Sequence, residues 1–472
     1  MAASALAAAW VEPYDASFDA EYVGSGTCGS CHTGIHARWS RSSHARMTRT
    51  PTPESVVGDF DDGRWHLPAS ARRGPVDDAP AARTFRRDGR YFMALRHPHD
   101  GRFVPFELAF VIGFQYRQVY LTQETGGVLR RLPLQWSVPR GEFFPYWNLQ
   151  EGSEPTLVDL WSQMGARNSA WNLFCARCHT TNLQILAKDA RHTRAKVDWL
   201  EPGIACEACH GPGSRHAGYF RTSYVNRVAA YFTAQVQGER APYIASAEKL
   251  AKGPALSVCA RCHGTDILMG TTDVYRTYEP GFSRAGKTND LSPYFFQAPL
   301  TPGRTDPTVE VYLDGRPKGI GMVFRSFVES ACYEAAEVRC ADCHDPHDNR
   351  GPRAPGMLEP STESDAYCLG CHEGAYAAPS HTHHAPGTPG ARCLDCHMPK
   401  TIEKITAGVR ERTRTHRMSS IPDPAATVRY GRAGAPNACG DCHADRTPGW
   451  ALEAMRRWSS SAPGGDPAGG DD

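Results

Sequence analysis

Cys206-Glu-Ala-Cys209-His210 decides how this chain must fold, because the same Cys-x-x-Cys-His grouping occurs eight times in 472 residues. In chain order the others are Cys28-Gly-Ser-Cys31-His32, Cys175-Ala-Arg-Cys178-His179, Cys259-Ala-Arg-Cys262-His263 and Cys340-Ala-Asp-Cys343-His344. Cys368-Leu-Gly-Cys371-His372, Cys393-Leu-Asp-Cys396-His397 and Cys439-Gly-Asp-Cys442-His443 complete the set. From this chain's own cysteine and histidine content, chance would supply about 0.03 such pentapeptides. Two thiols at this spacing can form thioethers with the two vinyl groups of a porphyrin, while the adjacent imidazole ligates its iron. A lone Cys-x-x-Cys would suit a zinc half-site or a redox dithiol, but neither needs histidine directly after the second cysteine. A disulfide framework would not hold the spacing eight times. The motifs, numbered 1 to 8 in chain order, therefore predict eight c-type haems, each with a proximal histidine.

Only Cys332 among the 17 cysteines lies outside the motifs, and it reads as a small, buried apolar residue or, less simply, a thiolate ligand. Eight haems in a chain of this length leave so few residues for each that much of the apolar interior must be porphyrin. The 44 glycines, 36 prolines and merely average apolar fraction of 40% fit polypeptide wrapped thinly around such a core. The expected fold is mainly irregular, with short α-helices around a multihaem core, and the chain without haem should be largely unfolded. The formal charge of +1 omits the cofactors; two propionates per haem would bring the oxidised holoprotein to about −7 and the reduced one to about −15. No basic run or recognition module points to nucleic acid, and no apolar stretch of spanning length occurs. Covalent haem attachment happens outside the cytoplasmic membrane, which places the protein in the periplasm or at the cell surface of a bacterium. The opening Met1-Ala-Ala-Ser-Ala-Leu-Ala-Ala-Ala-Trp10 reads as a signal remnant.

Motif spacing divides the chain. Between His32 and Cys175 no motif occurs, and this gap carries the one convincing β pattern. Thr84–Leu95 alternates around Asp88-Gly89, a hairpin signal. Glu107–Phe114, Gln118–Thr122 and, beyond Gly126-Gly127, Val128–Trp136 continue it. A small antiparallel β subdomain between the first and second motifs is expected. The boundaries expected are an extension over 1–20, a first haem module over 21–60, the β subdomain over 61–150, a seven-haem cytochrome domain over 151–458 and a disordered tail over 459–472. A weaker hairpin is expected over Val309–Phe324, turning at Asp314-Gly315. A helix should follow from Phe324 to Glu337, and another over Trp450–Trp458.

The flanks of the motifs resemble a known family. Tyr22-Val-Gly-Ser, Trp39-Ser-Arg-Ser-Ser-His44, Val56-Val-Gly-Asp-Phe60, Trp171-Asn-Leu-Phe and above all Cys206-Glu-Ala-Cys-His-Gly-Pro-Gly-Ser-Arg-His216 carry the likeness. Cys343-His-Asp-Pro-His347, Cys396-His-Met-Pro399 and Pro436-Asn-Ala-Cys439 extend it. The chain is similar here to octahaem cytochromes that often bear tetratricopeptide repeats and are related to the tetrahaem cytochrome of ammonia oxidisers. The repeat pattern itself does not occur in this sequence. The resemblance implies that His44, His216, His347 and His416 are distal haem ligands. The cluster His381, His383, His384 should supply one or two more, with His381 and His384 taken as the candidates. His66, His97 and His99 fall in or near the β region and read as ordinary side chains, while His36 and His192 stay open. Met47, Met164, Met269, Met322 and Met398 are conceivable thioether ligands but more often pack.

Six good distal ligands for eight irons leave two readings. Imidazole on both faces of a haem gives a coordinatively full centre suited to moving one electron, whereas an open face can bind substrate. The first reading is an electron-transfer protein, a shuttle, conduit or filament subunit, with redox partner proteins at both ends of its haem chain. Self-assembly or an outer-membrane conduit would suit such a part. The alternative is a multihaem oxidoreductase for nitrite, hydroxylamine or tetrathionate. Lysine in place of the proximal histidine, a frequent mark of such reductases, is not found here. His-Glu-x-x-His, phosphate-binding glycine loops and Gly-x-Ser-x-Gly are likewise missing from the sequence.

Overall fold

The computed structural model describes residues 20–72, 78–145, 155–166, 169–189, 195–237, 243–246, 250–264, 278–280, 288–295, 310–348, 365–372, 374–406, 409–418 and 424–461. His192, Met269, Val309 and the tail from 462 lie outside these residues.

Asp88 and Gly89 both adopt left-handed backbone, with φ of 52° and 73°. That is what a two-residue hairpin needs if its twist is to match the strands it joins. β3 (Ala82–Arg87) therefore turns directly into β4 (Arg90–Arg96), with β2 (Gly63–Trp65) and β5 (Phe103–Glu107) on either side in a four-stranded antiparallel sheet. A second antiparallel sheet runs in the order β1 (Thr48–Arg49), β6 (Phe110–Ile112), β7 (Arg117–Gln123), β8 (Leu129–Ser137), β9 (Glu142–Pro145). Side chains from both sheets meet in one core of Tyr91, Met93, Leu95, Val111, Tyr120, Leu132, Leu134 and Phe143. Phe60 sits at its centre, its ring 5.7, 5.1 and 5.9 Å from those of Tyr91, Tyr120 and Phe143. Gly58 is required beside it, since a Cβ there would lie 2.1 Å from the Tyr120 hydroxyl.

Strand β8 is apolar on both of its faces. Val119 pairs with Gln135 but Leu121 with Arg131, so β8 bulges at Leu132-Pro133. Proline has no N–H for the ladder, which makes a bulge its natural place in a strand. By strand alternation Leu132 and Leu134 face the sandwich core, while Leu129 joins Ile112, Val119 and Leu121 on the opposite face. That outer face packs on Trp171 and Ala176, in the helices Trp171–Phe174 and Ala176–His179 that carry motif 2. The fully buried Asn172 secures the junction. It accepts from the Leu129 N–H at 3.1 Å and donates to the carbonyls of Gly127 at 3.0 Å and Ala195 at 2.7 Å.

The remaining described chain is short helices, two-stranded ribbons and turns, as the motif density requires. Its second apolar cluster gathers Leu256, Leu291, Phe295, Phe324, Phe327 and Val328 around the helix Lys252–His263. Two expectations are corrected. The Val309–Phe324 hairpin shrinks, within its described part, to a single bridge between Val311 and Pro317 around the turn at Gly315. Pro317 cannot donate to a ladder, and Lys318 and Gly319 both give their N–H to the Glu310 carbonyl instead. The helix expected from Phe324 to Glu337 is two helices, Val323–Val328 and Ala331–Ala335. Ser330 divides them by accepting the Tyr333 N–H and starting a new helix, a capping role that serine fills well. The last helix, Pro448–Ser461, runs past Trp458.

Candidate haem-binding sites

Each motif occupies a single helical turn. Motif 3 is the helix Cys206–His210, motif 4 ends the helix Lys252–His263, and motif 7 is Cys393–His397. In motifs 1, 5, 6 and 8 the histidine closes the turn by donating its N–H to the first cysteine's carbonyl, at 2.9 Å from His32 to Cys28 and 2.8 Å from His344, His372 and His443 to their partners. One turn brings positions i, i+3 and i+4 to the same side, so both thiols and the imidazole address one ligand edge.

Histidine rings from elsewhere in the chain face six of the motif histidines. His216 lies opposite His32 with ring centroids 6.1 Å apart, His347 opposite His210 at 6.0 Å, and His44 opposite His263 at 6.3 Å. His416 faces His344 at 6.0 Å, His381 faces His397 at 6.1 Å and His384 faces His443 at 6.2 Å. Two imidazoles bound on opposite sides of one metal through bonds of about 2 Å should stand about 6 Å apart, centroid to centroid. The gaps therefore fit an iron between each pair.

Four of these rings have the outer nitrogen in contact with an acceptor, as metal-ligating imidazoles commonly do. His210 Nδ1 donates to the Ala245 carbonyl at 2.6 Å, His384 Nδ1 to that of Thr382 at 2.7 Å, and His44 Nδ1 to that of Pro346 at 3.2 Å. His347 Nδ1 lies 3.2 Å from an Asp345 carboxylate oxygen. Each bond fixes the ring and turns Nε2 towards its partner. Burial pushes His179 and His416 down to about 4, which keeps them as the neutral imidazoles that bind metal.

Among the described residues, no histidine ring stands opposite His179 or His372. His179 has Trp171 at 6.2 Å, under the five-stranded sheet. His372 has Tyr376 at 5.7 Å, and the same Tyr376 ring is 5.3 Å from His381. The other histidines do ordinary work. His383 stacks on Trp458 at 4.2 Å and 8°, His36 packs against Trp39 and Gly29, His97 against Trp161 and His99, and His66 contacts the Asp78 carbonyl. Cys332 is half-buried within electrostatic reach of Cys371 and Cys343, and both burial and the Cys371 thiol push it up.

Contacts between attachment cysteines place the sites in order. The thiols of Cys28 and Cys206, Cys178 and Cys262, Cys259 and Cys340, and Cys368 and Cys393 are close neighbours in space. Cys209 lies within electrostatic range of Cys259 and Cys262, Cys343 of Cys371, and Cys396 of Cys439 and Cys442. The sites thus follow one another as 1, 3, 4, 5, 6, 7, 8, with site 2 beside site 4.

Sequence reasoning missed the groups that join sites. Glu207, inside motif 3, is 1% exposed, and its carboxylate accepts the N–H groups of Val23 at 2.9 Å, Gly24 at 2.8 Å and Gly213 at 2.7 Å. Glu201 accepts from the Ser25 N–H at 2.9 Å and its hydroxyl at 2.5 Å. Residues 201–216 therefore hold the backbone entering motif 1 as well as the ring opposite His32. A carboxylate between two attachment cysteines was the available signal.

Comparison with known proteins agrees with this chemistry. The family described as cytochrome c554 and c-prime matches residues 153–211, and the doubled CXXCH motif family matches residues 334–377. The chain is a multihaem c-type cytochrome. Its fold is similar to the crystal structure of the outer cell wall cytochrome OcwA, with a TM-score of 0.50 and 16% identity over 93% of this chain and 87% of that one. An undecahaem cytochrome from the S-layer of Carboxydothermus ferrireducens matches with a TM-score of 0.41, at 16% identity over 93% of this chain and 60% of its own. The octahaem sulfite reductase MccA of Wolinella succinogenes gives 0.27, at 17% identity over 86% and 59%. No curated protein matches the chain. No helix among the described residues is long and apolar enough to cross a membrane.

Proposed function

We propose that the chain carries eight haems, one on each motif, and conducts electrons along the order 1, 3, 4, 5, 6, 7, 8, with site 2 as a branch at site 4. The observation that carries this reading is the set of six imidazole pairs with centroids 6.0 to 6.3 Å apart. Iron held by imidazole on both faces supplies one-electron transfer with little change of coordination. The chain's own work is to hold the axial rings, exclude water and keep neighbouring sites in contact. His32, His179, His210, His263, His344, His372, His397 and His443 would be proximal ligands. His44, His216, His347, His381, His384 and His416 would be distal, in the pairings above. Contact between successive attachment cysteines supports a continuous path, and redox partner proteins would dock at its ends. A place outside the cytoplasm, at the cell surface or in the periplasm, follows from covalent attachment and suits a fold similar to an outer cell wall cytochrome.

Sites 2 and 6 favour a second reading, because no described histidine faces His179 or His372. An open face at either would let the chain act as an oxidoreductase on a small nitrogen or sulfur compound. Intact mass of the purified holoprotein and low-temperature EPR of its oxidised form test both readings. Eight haem masses with six bis-imidazole low-spin centres are expected. Fewer haems would overturn the count. A high-spin signal that shifts with nitrite or hydroxylamine would establish the second reading.

A further inference from the structure

Arg414 follows the strand Val409–Thr413, precedes His416 by two residues and is 9% exposed. Its guanidinium grips motif 7. Nη1 donates to the carbonyls of Leu394 at 2.8 Å and Met398 at 3.0 Å, and Nη2 to an Asp395 carboxylate oxygen at 3.1 Å. Carbonyls at the end of a helical turn lack N–H partners of their own, and a cationic side chain can supply them. Leu394, Asp395 and Met398 lie on both sides of His397 in the chain, so one side chain fixes the turn that carries this histidine. Asp395 also has Arg392 at 2.8 Å, so neutralising that carboxylate does not by itself account for Arg414.

The two residues after Arg414 are anchored in turn. Thr415 donates its N–H to the Pro399 carbonyl at 3.0 Å, just past motif 7, and His416 donates its own to Ser326 Oγ at 3.0 Å. Ser326 is fully buried in the helix Val323–Val328. The His416 ring then faces His344 of motif 5 at 6.0 Å. Residues 414–416 therefore touch two sites at once, and none of these bonds involves motif 6, which lies between motifs 5 and 7 in the chain. Burying a cation is costly, and an apolar side chain of similar size often fills such a place without loss of stability. An apolar side chain could not hold two carbonyls and a carboxylate from one planar fork, which a guanidinium does.

We infer that Arg414 is a positioning residue shared by sites 5 and 7. Its side chain sets the turn of His397, and the two residues that follow carry that placement to the His416 ring. The inference rests on motifs 5 and 7 each holding a haem.

The test is low-temperature EPR of the oxidised holoprotein, with intact mass and peptide mass mapping of every variant. The signals of sites 5 and 7 are assigned first, from His416→Ala and His381→Ala, each of which should remove one low-spin signal. Arg414→Met keeps the length of the side chain and loses the fork. In it those two signals should shift while the other four stay in place. Low-spin g-values follow the angle between axial ring planes, which is 27° for His344–His416 and 2° for His381–His397. A lower melting temperature with all six signals unmoved would mark an arginine that only stabilises the fold. That result, movement at one of the two sites only, or movement of all six together overturns the inference and leaves the ring pairings standing. If Arg414→Met matures without its full haem complement, Arg414→Lys decides, because it keeps the charge and gives up the fork. Movement of both signals there sustains the inference and anything less overturns it. Mapping that finds motif 5 or motif 7 of the wild type without haem would bring down the inference together with the reading beneath it.

Discussion

The β-sandwich and the segment from 365 to 461 belong to one chain but are held together differently. In the sandwich, large side chains fill their own interior: Tyr91, Met93, Leu95, Tyr120, Leu132 and Leu134 are all at or below 5% exposure. In the segment carrying sites 6, 7 and 8, the buried apolar residues among those described are Leu394, Ile402 and four alanines, Ala435, Ala438, Ala451 and Ala454. Small side chains remove little apolar area from water, at about 25 cal/mol per Å². One region can stabilise itself, and the other depends on what its paired imidazoles hold. The same contrast separates the two motif histidines that no described histidine faces. His179 is clamped beneath the sandwich through Trp171 and Asn172, and His372 sits in the thin region beside an exposed tyrosine.

The largest effect that would break this comparison comes from withholding the cofactor. The sequence suggested that the haem-free chain should be largely unfolded, and the sandwich refines this. Chain produced without haem attachment should lose the 365–461 region quickly to limited proteolysis, while a fragment near residues 48–145 survives. Equal digestion of both regions would show that the sandwich core is not self-sufficient.

Asn172→Ala should come next in size. It removes an acceptor from the buried Leu129 N–H and donors from two carbonyls, with a cost of about 3 kcal/mol at roughly 1 kcal/mol per bond. Thermal melting followed by tryptophan fluorescence should show the loss, and the low-spin EPR signals of the six paired sites should not change. A fall of those signals would mean that the junction supports more than site 2.

How much of this was legible in the sequence depends on range. Motifs are local, and so is the Asp88-Gly89 hairpin, whose turn chemistry and alternation are spelled out within a dozen residues. The ring pairings are not local. His44 follows motif 1 yet faces His263 of motif 4, and His347 follows motif 5 yet faces His210 of motif 3. Chain order offers no clue to such exchanges, because each of these two rings comes from beside a motif two places away along the order of sites. The clustered histidines show a different limit. His381 and His384 face motif histidines, while His383 between them takes a left-handed φ of 53° and stacks on Trp458. Periodicity could not separate the three, since one irregular residue redirects its side chain. The helix expected across 324–337 was lost to a capping serine, a polar contact that outweighs continuity of pattern.

Substitution of single rings gives a smaller and more local effect. His347→Ala should convert one centre from low-spin to high-spin while leaving every haem attached, and His383→Ala should convert none. EPR of the oxidised variants separates the two. A wholly low-spin His347→Ala spectrum would dismiss the pairing with His210, and a new high-spin signal in His383→Ala would reassign that histidine.

Tyr376→Ala should have the least effect on stability and still sharpens the contrast between sites 2 and 6. The side chain is 51% exposed, so its removal should cost less than about 1 kcal/mol. Its ring nevertheless lies against both His372 and His381, at 5.7 and 5.3 Å, and is the described aromatic contact between the imidazoles of sites 6 and 7. Removing it frees both rings to rotate. EPR g-values of low-spin haem report the angle between axial imidazole planes, and the His381–His397 pair is nearly coplanar at 2°. A shift confined to that one signal, with melting unchanged, would show that the thin region relies on ring-to-ring contact where the sandwich relies on packing. A large drop in melting temperature would instead mean that this exposed tyrosine supports the C-terminal sites as strongly as Asn172 supports the second.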